Sequence, residues 1–170
     1  MYKIGEKVVY GTNGVFEIED VREENVLGET HKYYVMRPVG EKRESFVFVP
    51  VDNEALTSQM RYPITKKDAE KLIKEIPDIP AAEWKKDSKQ RTDNYKKLIG
   101  SASHRDIISV IKSVWLNCES RKSEGKKAYA SDENMIKRAE AILYSELAAS
   151  LGIPECEVAD YISAACRKNK

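Results

Sequence analysis

Over the first sixty residues, short β-forming runs alternate with turn chemistry. Lys7-Val8-Val9-Tyr10 leads into Gly11-Thr12-Asn13-Gly14, whose glycines and Asn tolerate a positive φ, and Val15 to Val21 resumes the pattern. Asn25-Val26-Leu27-Gly28 marks the next connection. His31 to Met36 reads as a third strand, stopped by Pro38 and Gly40, and Ser45 to Pro50 as a fourth. Leu56 to Tyr62 adds a short fifth. Strands of this length and spacing predict a small antiparallel barrel. The fourth run is apolar on both faces, Phe46 and Phe48 alternating with Val47 and Val49. Burial on both sides is the ordinary outcome of such a pattern. The alternative is an edge strand whose free backbone accepts a partner's strand.

From Thr65 the apolar period lengthens to that of a helix. Thr65 with Asp68 three residues on has the form of an N-cap, and Leu72, Ile73 and Ile76 follow at helical spacing until Pro77-Asp78-Ile79-Pro80 ends the run in a stiff linker. The domain boundary is placed there. Trp84, Arg91, Tyr95 and Leu98 share one stripe of the next helix, which Gly100 terminates. Ser103 caps a helix in which Ile107, Ile108, Ile111, Val114, Trp115 and Cys118 form a continuous apolar face, so Trp115 is expected in the core. After the polar loop Arg121 to Lys127, Ser131 caps a third helix bearing Met135, Ala139, Ile142, Leu143 and Leu147. Gly152-Ile153-Pro154 breaks it, and a fourth helix follows with Val158, Tyr161, Ile162 and Ala165 on its apolar side. The prediction is an α+β chain, a small antiparallel β-barrel followed by a C-terminal four-helix domain. It divides into residues 1–63, a helix and linker over 64–80, and a helical domain over 81–170.

Charge changes this picture more than composition does. The chain has 29 Lys and Arg against 28 Asp and Glu, a net charge of +1. Residues 84–127 nevertheless carry 12 basic and 5 acidic side chains, whereas the flanking segments are acidic on balance. Screening at about 8–10 Å makes such a local block matter more to a polyanion than the net charge. A solvated Lys-rich helical face is the common origin of such a block; a phosphate-contacting surface is the other.

The remaining chemistry is sparse. Cys118, Cys156 and Cys166 are odd in number and widely spaced, which suits reduced thiols better than a disulfide framework. Two His and three scattered Cys make no zinc pattern, so no metal or other cofactor is expected. No nucleophile elbow, P-loop, GxGxxG or HExxH occurs, and carboxylate pairs such as Asp132-Glu133 sit at connections or caps. A non-enzymatic protein is expected. No apolar run reaches the roughly 18 residues of a membrane span, and Met-Tyr-Lys-Ile-Gly-Glu-Lys carries charge where a signal peptide needs apolar residues. A cytoplasmic protein is therefore expected.

Trp84 invites two readings. Its stripe with Tyr95 and Leu98 suits packing. Its neighbours Lys85, Lys86, Lys89 and Arg91 suit an indole used as a wedge or stacking plate beside phosphate-binding cations.

Val9-Tyr10-x-x-x-Gly14, the strand ending Val49-Pro50, the linker leading to Trp84, then Arg91, Tyr95, Leu98 and Gly100 occur in an order that resembles the CarD/CdnL family of bacterial transcription regulators. Ile142-Leu143-x-x-Glu146-Leu147-Ala148 resembles that family's third C-terminal helix. The resemblance implies a Tudor-like barrel that binds the β subunit of RNA polymerase. Lys42, Arg43, Ser45, Phe46, Val47, Phe48 and Val49 would form the contact. It also implies a helical domain that touches promoter DNA at the upstream edge of the bubble, with Trp84 in the minor groove and little base specificity. Lys85, Lys86, Lys89, Arg91, Lys126, Lys127 and Arg138 are the candidate phosphate contacts. The protein would stabilise the open complex, as a monomer. Phe48 and Glu24 stand where some relatives carry basic residues, which leaves room for a paralogous adaptor of the same architecture with another partner.

Overall fold

The computed structural model of the chain describes residues 1–26, 28–40 and 45–168. Five antiparallel strands form one sheet: β1 (Lys7–Tyr10), β2 (Val15–Val26), β3 (Glu29–Pro38), β4 (Val47–Pro50) and β5 (Met60–Arg61), in the order β4-β3-β2-β1-β5. β4 and β5 are the two edges, and no pairing joins them among the described residues, so the sheet is open. A register shift between Ile18 and Asp20 bends the long β2–β3 ladder. One face buries Val8, Phe16, Ile18, Tyr34, Met36, Val49 and Met60. At about 1.5–3 kcal/mol for each large apolar side chain, that cluster is the main source of stability in this half. The segment expected as a fifth strand from Leu56 begins instead as the short helix α1 (Glu54–Thr57), because Asn53 accepts a hydrogen bond from the Leu56 amide and caps a helical turn. The fourth strand is not buried on both sides. Phe46 and Phe48 remain 48% and 45% exposed, on the face opposite the core residue Val49.

The helical half comprises α2 (Lys66–Glu75), α3 (Ser88–Gly100), α4 (His104–Ser123), α5 (Ala130–Leu151) and α6 (Val158–Lys168). Thr65 and Ser103 cap α2 and α4 as their sequence context predicts, each accepting from the amide three residues on. Ser131 is not the cap of α5: that helix starts at Ala130 after Tyr129, and the Ser131 hydroxyl turns to the Asp132 carboxylate. Arg121 to Ser123, expected in a loop, complete the last turn of α4. Ala69 and Ile73 of α2 and Ile79 of the linker join Tyr95, Ile99, Ile107, Val110, Val114, Ala139, Leu143 and Leu147 in one core, so α2 and the linker are packed parts of the helical body. The Lys112 ammonium donates to the carbonyls of Ile76, Pro77 and Ile79, and the Ala82 amide donates to the Ser109 carbonyl, so the linker lies along α4.

Trp115 is the clearest departure from the expected core. It is 55% exposed, and its neighbour Leu116 is 52% exposed. Ile108 lies on the same helical edge almost two turns earlier and is 3% exposed. The linker covers α4 beside Ser109 and Lys112, and its hydrogen bonds reach no farther along the helix. Periodicity identifies the apolar side of a helix but not how far along the axis a neighbour extends.

Two features join the halves. Gly14, at φ +93°, brings the first hairpin so close to α5 that a Cβ there would meet Ser145 Oγ at 3.0 Å. Glu146, 2% exposed, is the hub of the second. Its Oε1 accepts from Arg61 Nη1 at 2.5 Å and from the Ile64 amide at 3.1 Å, and its Oε2 accepts from Arg61 Nη2 at 2.8 Å and lies 2.9 Å from His104 Nε2. One carboxylate thus ties the last strand, the following turn and the start of α4 to α5.

Candidate nucleic-acid interface

Trp84 is not on α3. That helix begins at Ser88, with Asp87 as its N-cap accepting from the Gln90 amide at 2.8 Å, and Trp84 lies three residues before that cap, in chain without regular secondary structure. Its indole is half-buried. What it rests on is Arg91, whose guanidinium carbon is 4.1 Å from the ring centroid.

Arg91 is 1% exposed, and its hydrogen bonds are internal. Nε donates to Asp132 Oδ1 at 3.1 Å; Nη1 donates to the Lys85 carbonyl at 2.8 Å and to the Lys86 carbonyl at 3.3 Å. Arg91 therefore does not offer a charge to a phosphate, contrary to its expected role. Burial is tolerated because the cation has an anion, two carbonyls and an aromatic face around it. Asp132 is equally buried, with its Oδ2 left without a hydrogen-bond partner, so its carboxylate is committed to this pair through Oδ1.

The stack continues beyond Arg91. Its guanidinium is also 5.2 Å from the Tyr129 ring, and Arg121 stands 3.9 Å from the same ring while donating through Nε to the Lys127 carbonyl at 2.8 Å. Trp84, Arg91, Tyr129 and Arg121 thus form a chain of cation–π interactions that links the linker, α3, the start of α5 and the end of α4. Lys86, Lys89, Lys126 and Lys127 are exposed in the segments carrying these residues, with Lys85 half-buried and Lys126 paired to Glu124 at 2.7 Å. A polarisable ring held on a buried cation, with ammonium groups in adjoining segments, can stack on a base or enter a groove while the lysines neutralise phosphates. Arg138 stands apart from this stack. It lines a groove of about 280 Å³ between the first hairpin and α5, with Asn13, Val39 and Glu155.

On the sheet, Phe46 and Phe48 present exposed rings at β4, Val47 is half-buried, and Val49 is a core residue whose contribution to any partner is limited to its backbone. Ser45 is exposed. Lys42 and Arg43 lie outside the described residues. Arg22, which no sequence pattern singled out, places its guanidinium 5.3 Å from the Phe48 ring, between Asp20 at 3.9 Å and Glu24 at 3.4 Å. A cation thus does stand on this face, supplied by β2 and partly offset by its acidic neighbours.

The Glu146 cluster has the composition of an acid–base site but not its state. Burial raises the carboxyl's proton affinity. The hydrogen bonds from Arg61 and His104 and their charges outweigh it and hold the pKa at about 2. Glu146 is thereby a fixed anion that fastens two halves, with no proton to exchange near neutrality. Among the described residues no group of three His, Cys, Asp or Glu side chains is placed to hold a metal, and no helix is long and apolar enough to cross a membrane. Cys118, Cys156 and Cys166 are unpaired.

Tyr129, Arg121, Asp132 and Arg22 are not legible as site residues from the sequence patterns above. Tyr129 follows the Lys126-Lys127 pair, the same aromatic-beside-cations signal that singles out Trp84, and is open to the same reasoning.

Known proteins match both halves of the chain in sequence. The CarD-like/TRCF RID domain matches residues 2–62, and the CarD C-terminal domain matches residues 75–163. A Bacillus subtilis (strain 168) protein named "Putative transcription factor YdeB" is 29% identical over 168 residues, covering 95% of this chain and 99% of that one. With both halves matched in sequence order and the second match alone spanning more than half of its length, this chain belongs to the CarD-like family of transcription factors.

Proposed function

We propose that this protein holds RNA polymerase through its sheet and promoter DNA through Trp84, and so prolongs the life of the open complex. The observation that carries this reading is the half-buried indole on the buried Arg91, flanked in sequence by Lys85, Lys86 and Lys89. The polymerase β subunit would meet the β4 edge around Ser45 to Val49, with Arg22 as an additional contact. The DNA would be gripped at the minor groove by a wedge and by phosphate contacts from Lys85, Lys86, Lys89, Lys126 and Lys127, with Arg138 farther off. Neither part reads base edges, so sequence preference would be small. A protein that touches both partners stabilises the melted state by binding it more tightly than the closed one. A difference of about 1.4 kcal/mol changes the open-to-closed ratio tenfold. No catalysis is required. A monomer acting in the cytoplasm suffices.

Promoter-bubble lifetime with purified polymerase is the test. The full chain should lengthen it, and Trp84→Ala should cancel the effect while leaving the helical fold intact. A variant that unfolds would show that the indole is a core residue. A second reading, an adaptor for a different protein, is favoured by one feature: the exposed Phe46 and Phe48 share their face with Arg22, whose charge is offset by Asp20 and Glu24. Capture of the polymerase β subunit by the full chain, abolished by Phe48→Glu, would decide against that adaptor.

A further inference from the structure

We propose that Arg91 is the positioning residue for Trp84: its guanidinium, fixed by Asp132 and Tyr129, sets the plane and the exposed edge of the indole before DNA is met. The proposal rests on Trp84 being the DNA-contacting ring. It assigns to Arg91 a role other than the phosphate contact its sequence position suggests.

The need for such a device follows from where Trp84 sits. It lies in chain without regular secondary structure, three residues ahead of the α3 cap, so no helical geometry fixes its backbone or its χ1. A wedge that was free in solution would have to surrender that freedom on binding. Arg91 removes it beforehand in two ways. Its Nη1 bonds to the carbonyls of Lys85 and Lys86 pin the two residues that follow the indole, and its guanidinium carbon lies 4.1 Å over the ring centroid. The guanidinium is itself held from several sides, 1% exposed, bonded through Nε to Asp132 and 5.2 Å from the Tyr129 ring, which Arg121 supports in turn at 3.9 Å. Lysine at this place could keep the charge and one bond to Asp132. It could not stack a plane on the indole while donating to two carbonyls and a carboxylate.

The two roles, holding the fold and holding the ring, are separable. Asp132→Asn keeps an oxygen for Arg91 Nε and leaves the stack and both backbone bonds in place, yet removes the ion pair. Arg91→Lys keeps the ion pair and removes the stack. In a Trp115→Phe background, which leaves Trp84 as the single indole, time-resolved fluorescence anisotropy of the free protein reports the local motion of that ring. We expect Arg91→Lys to add a fast component to the decay and to shorten the bubble lifetime about 2–10-fold, the range that immobilising one such side chain represents. Asp132→Asn should lose more stability than Arg91→Lys and retain the rigid decay and the lifetime. An unchanged decay in Arg91→Lys overturns the positioning role. So does a loss of lifetime that merely tracks the loss of stability across the two variants. If Arg91→Lys does not fold, Tyr129→Leu, at a 44% exposed position that support of the fold does not demand, carries the test by the same criterion. The wedge reading fails by a different measurement, an unaltered bubble lifetime in Trp84→Ala, so the two failures are told apart.

Discussion

Replacing Glu146 with Gln should cost the protein about 2–3 kcal/mol at neutral pH and should cost nothing in strong acid. The group is 2% exposed, and its four interactions, two from Arg61, one from the Ile64 amide and one with His104, all lie in the seam between the sheet and the helices. Its carboxyl pKa stands at about 2 against an ordinary 4.5, and at about 1.4 kcal/mol per unit the difference is worth about 3.5 kcal/mol of folding stability before screening. Arg61 is 39% exposed, so solvent screening trims the figure toward about 2. Gln is nearly isosteric and can still accept one bond, which leaves the loss of charge as the main change. For a chain of this size that stability difference is about 4–12 °C in thermal midpoint. The sign of the pH dependence is fixed. A carboxyl whose folded pKa is depressed contributes fully above its unfolded value. The contribution falls, by up to about 1.4 kcal/mol per pH unit, as the medium is acidified from about 4.5 toward about 2. Urea denaturation of the wild-type chain and Glu146→Gln at pH 7 and at steps below pH 4.5 measures both. A gap under about 0.5 kcal/mol at pH 7, or one that persists undiminished in acid, would refute the reasoning.

Three further outcomes follow from other parts of the molecule. Reversing Lys126 and Lys127 to Glu should weaken DNA binding uniformly across sequences and flatten the dependence of log K on log salt by about 1 for each phosphate no longer neutralised; sequence-selective weakening would show that these residues read bases. Trp115→Ser should change stability by less than about 0.5 kcal/mol, because the ring is 55% exposed, whereas a core Trp costs roughly 3–5 kcal/mol on truncation; calorimetry separates the two. Gly14→Ala should destabilise by about 1 kcal/mol or more, since it combines a left-handed φ with a Cβ at 3.0 Å from Ser145 Oγ; a neutral result would mean that the hairpin can retreat from α5 at no cost.

Much of the fold is local chemistry, and that part is legible in the sequence. The Tyr10–Val15 turn, the Thr65 and Ser103 caps and the Gly152 stop are each decided by a few adjacent residues, and the structure follows them. The departures arise where a local pattern meets a competing signal or a distant neighbour. Thr57 and Tyr62 favour a strand in the run from Leu56, but Asn53 is the stronger local signal at its start and caps a turn of helix. Trp115 satisfies the helical period, yet burial depends on where a neighbouring segment ends, which no period encodes. Ser45 to Pro50 is apolar on both faces, and only the packing around the sheet leaves Phe46 and Phe48 exposed while Val49 joins the core. The candidate site divides the same way. Trp84 and its lysines stand out as a sequence cluster. Asp132 is 41 positions from Arg91 and Tyr129 is 45 from Trp84, so the pairing that turns Arg91 from a surface cation into a buried support arises only in three dimensions.

On the proposed reading, the Glu146 seam and the Arg91 stack serve the same end at different scales. Affinity for a melted promoter counts only as the difference from affinity for a closed one, so it matters that the contact points keep a fixed spacing. A sheet held loosely to its helices could follow the DNA through melting and reannealing alike, and would favour neither state. The seam, with one anion bonded to Arg61, Ile64 and His104, opposes such play between the halves, and the stack opposes it at the ring. Glu146→Gln should therefore shorten the bubble lifetime while leaving capture of the polymerase by the sheet unchanged. If the seam is loosened, as a denaturation midpoint would record, and the lifetime nevertheless equals that of the wild-type chain, then spacing between the two contacts is not what selects the open state. In that case the local grip of Trp84 would have to account for the whole effect.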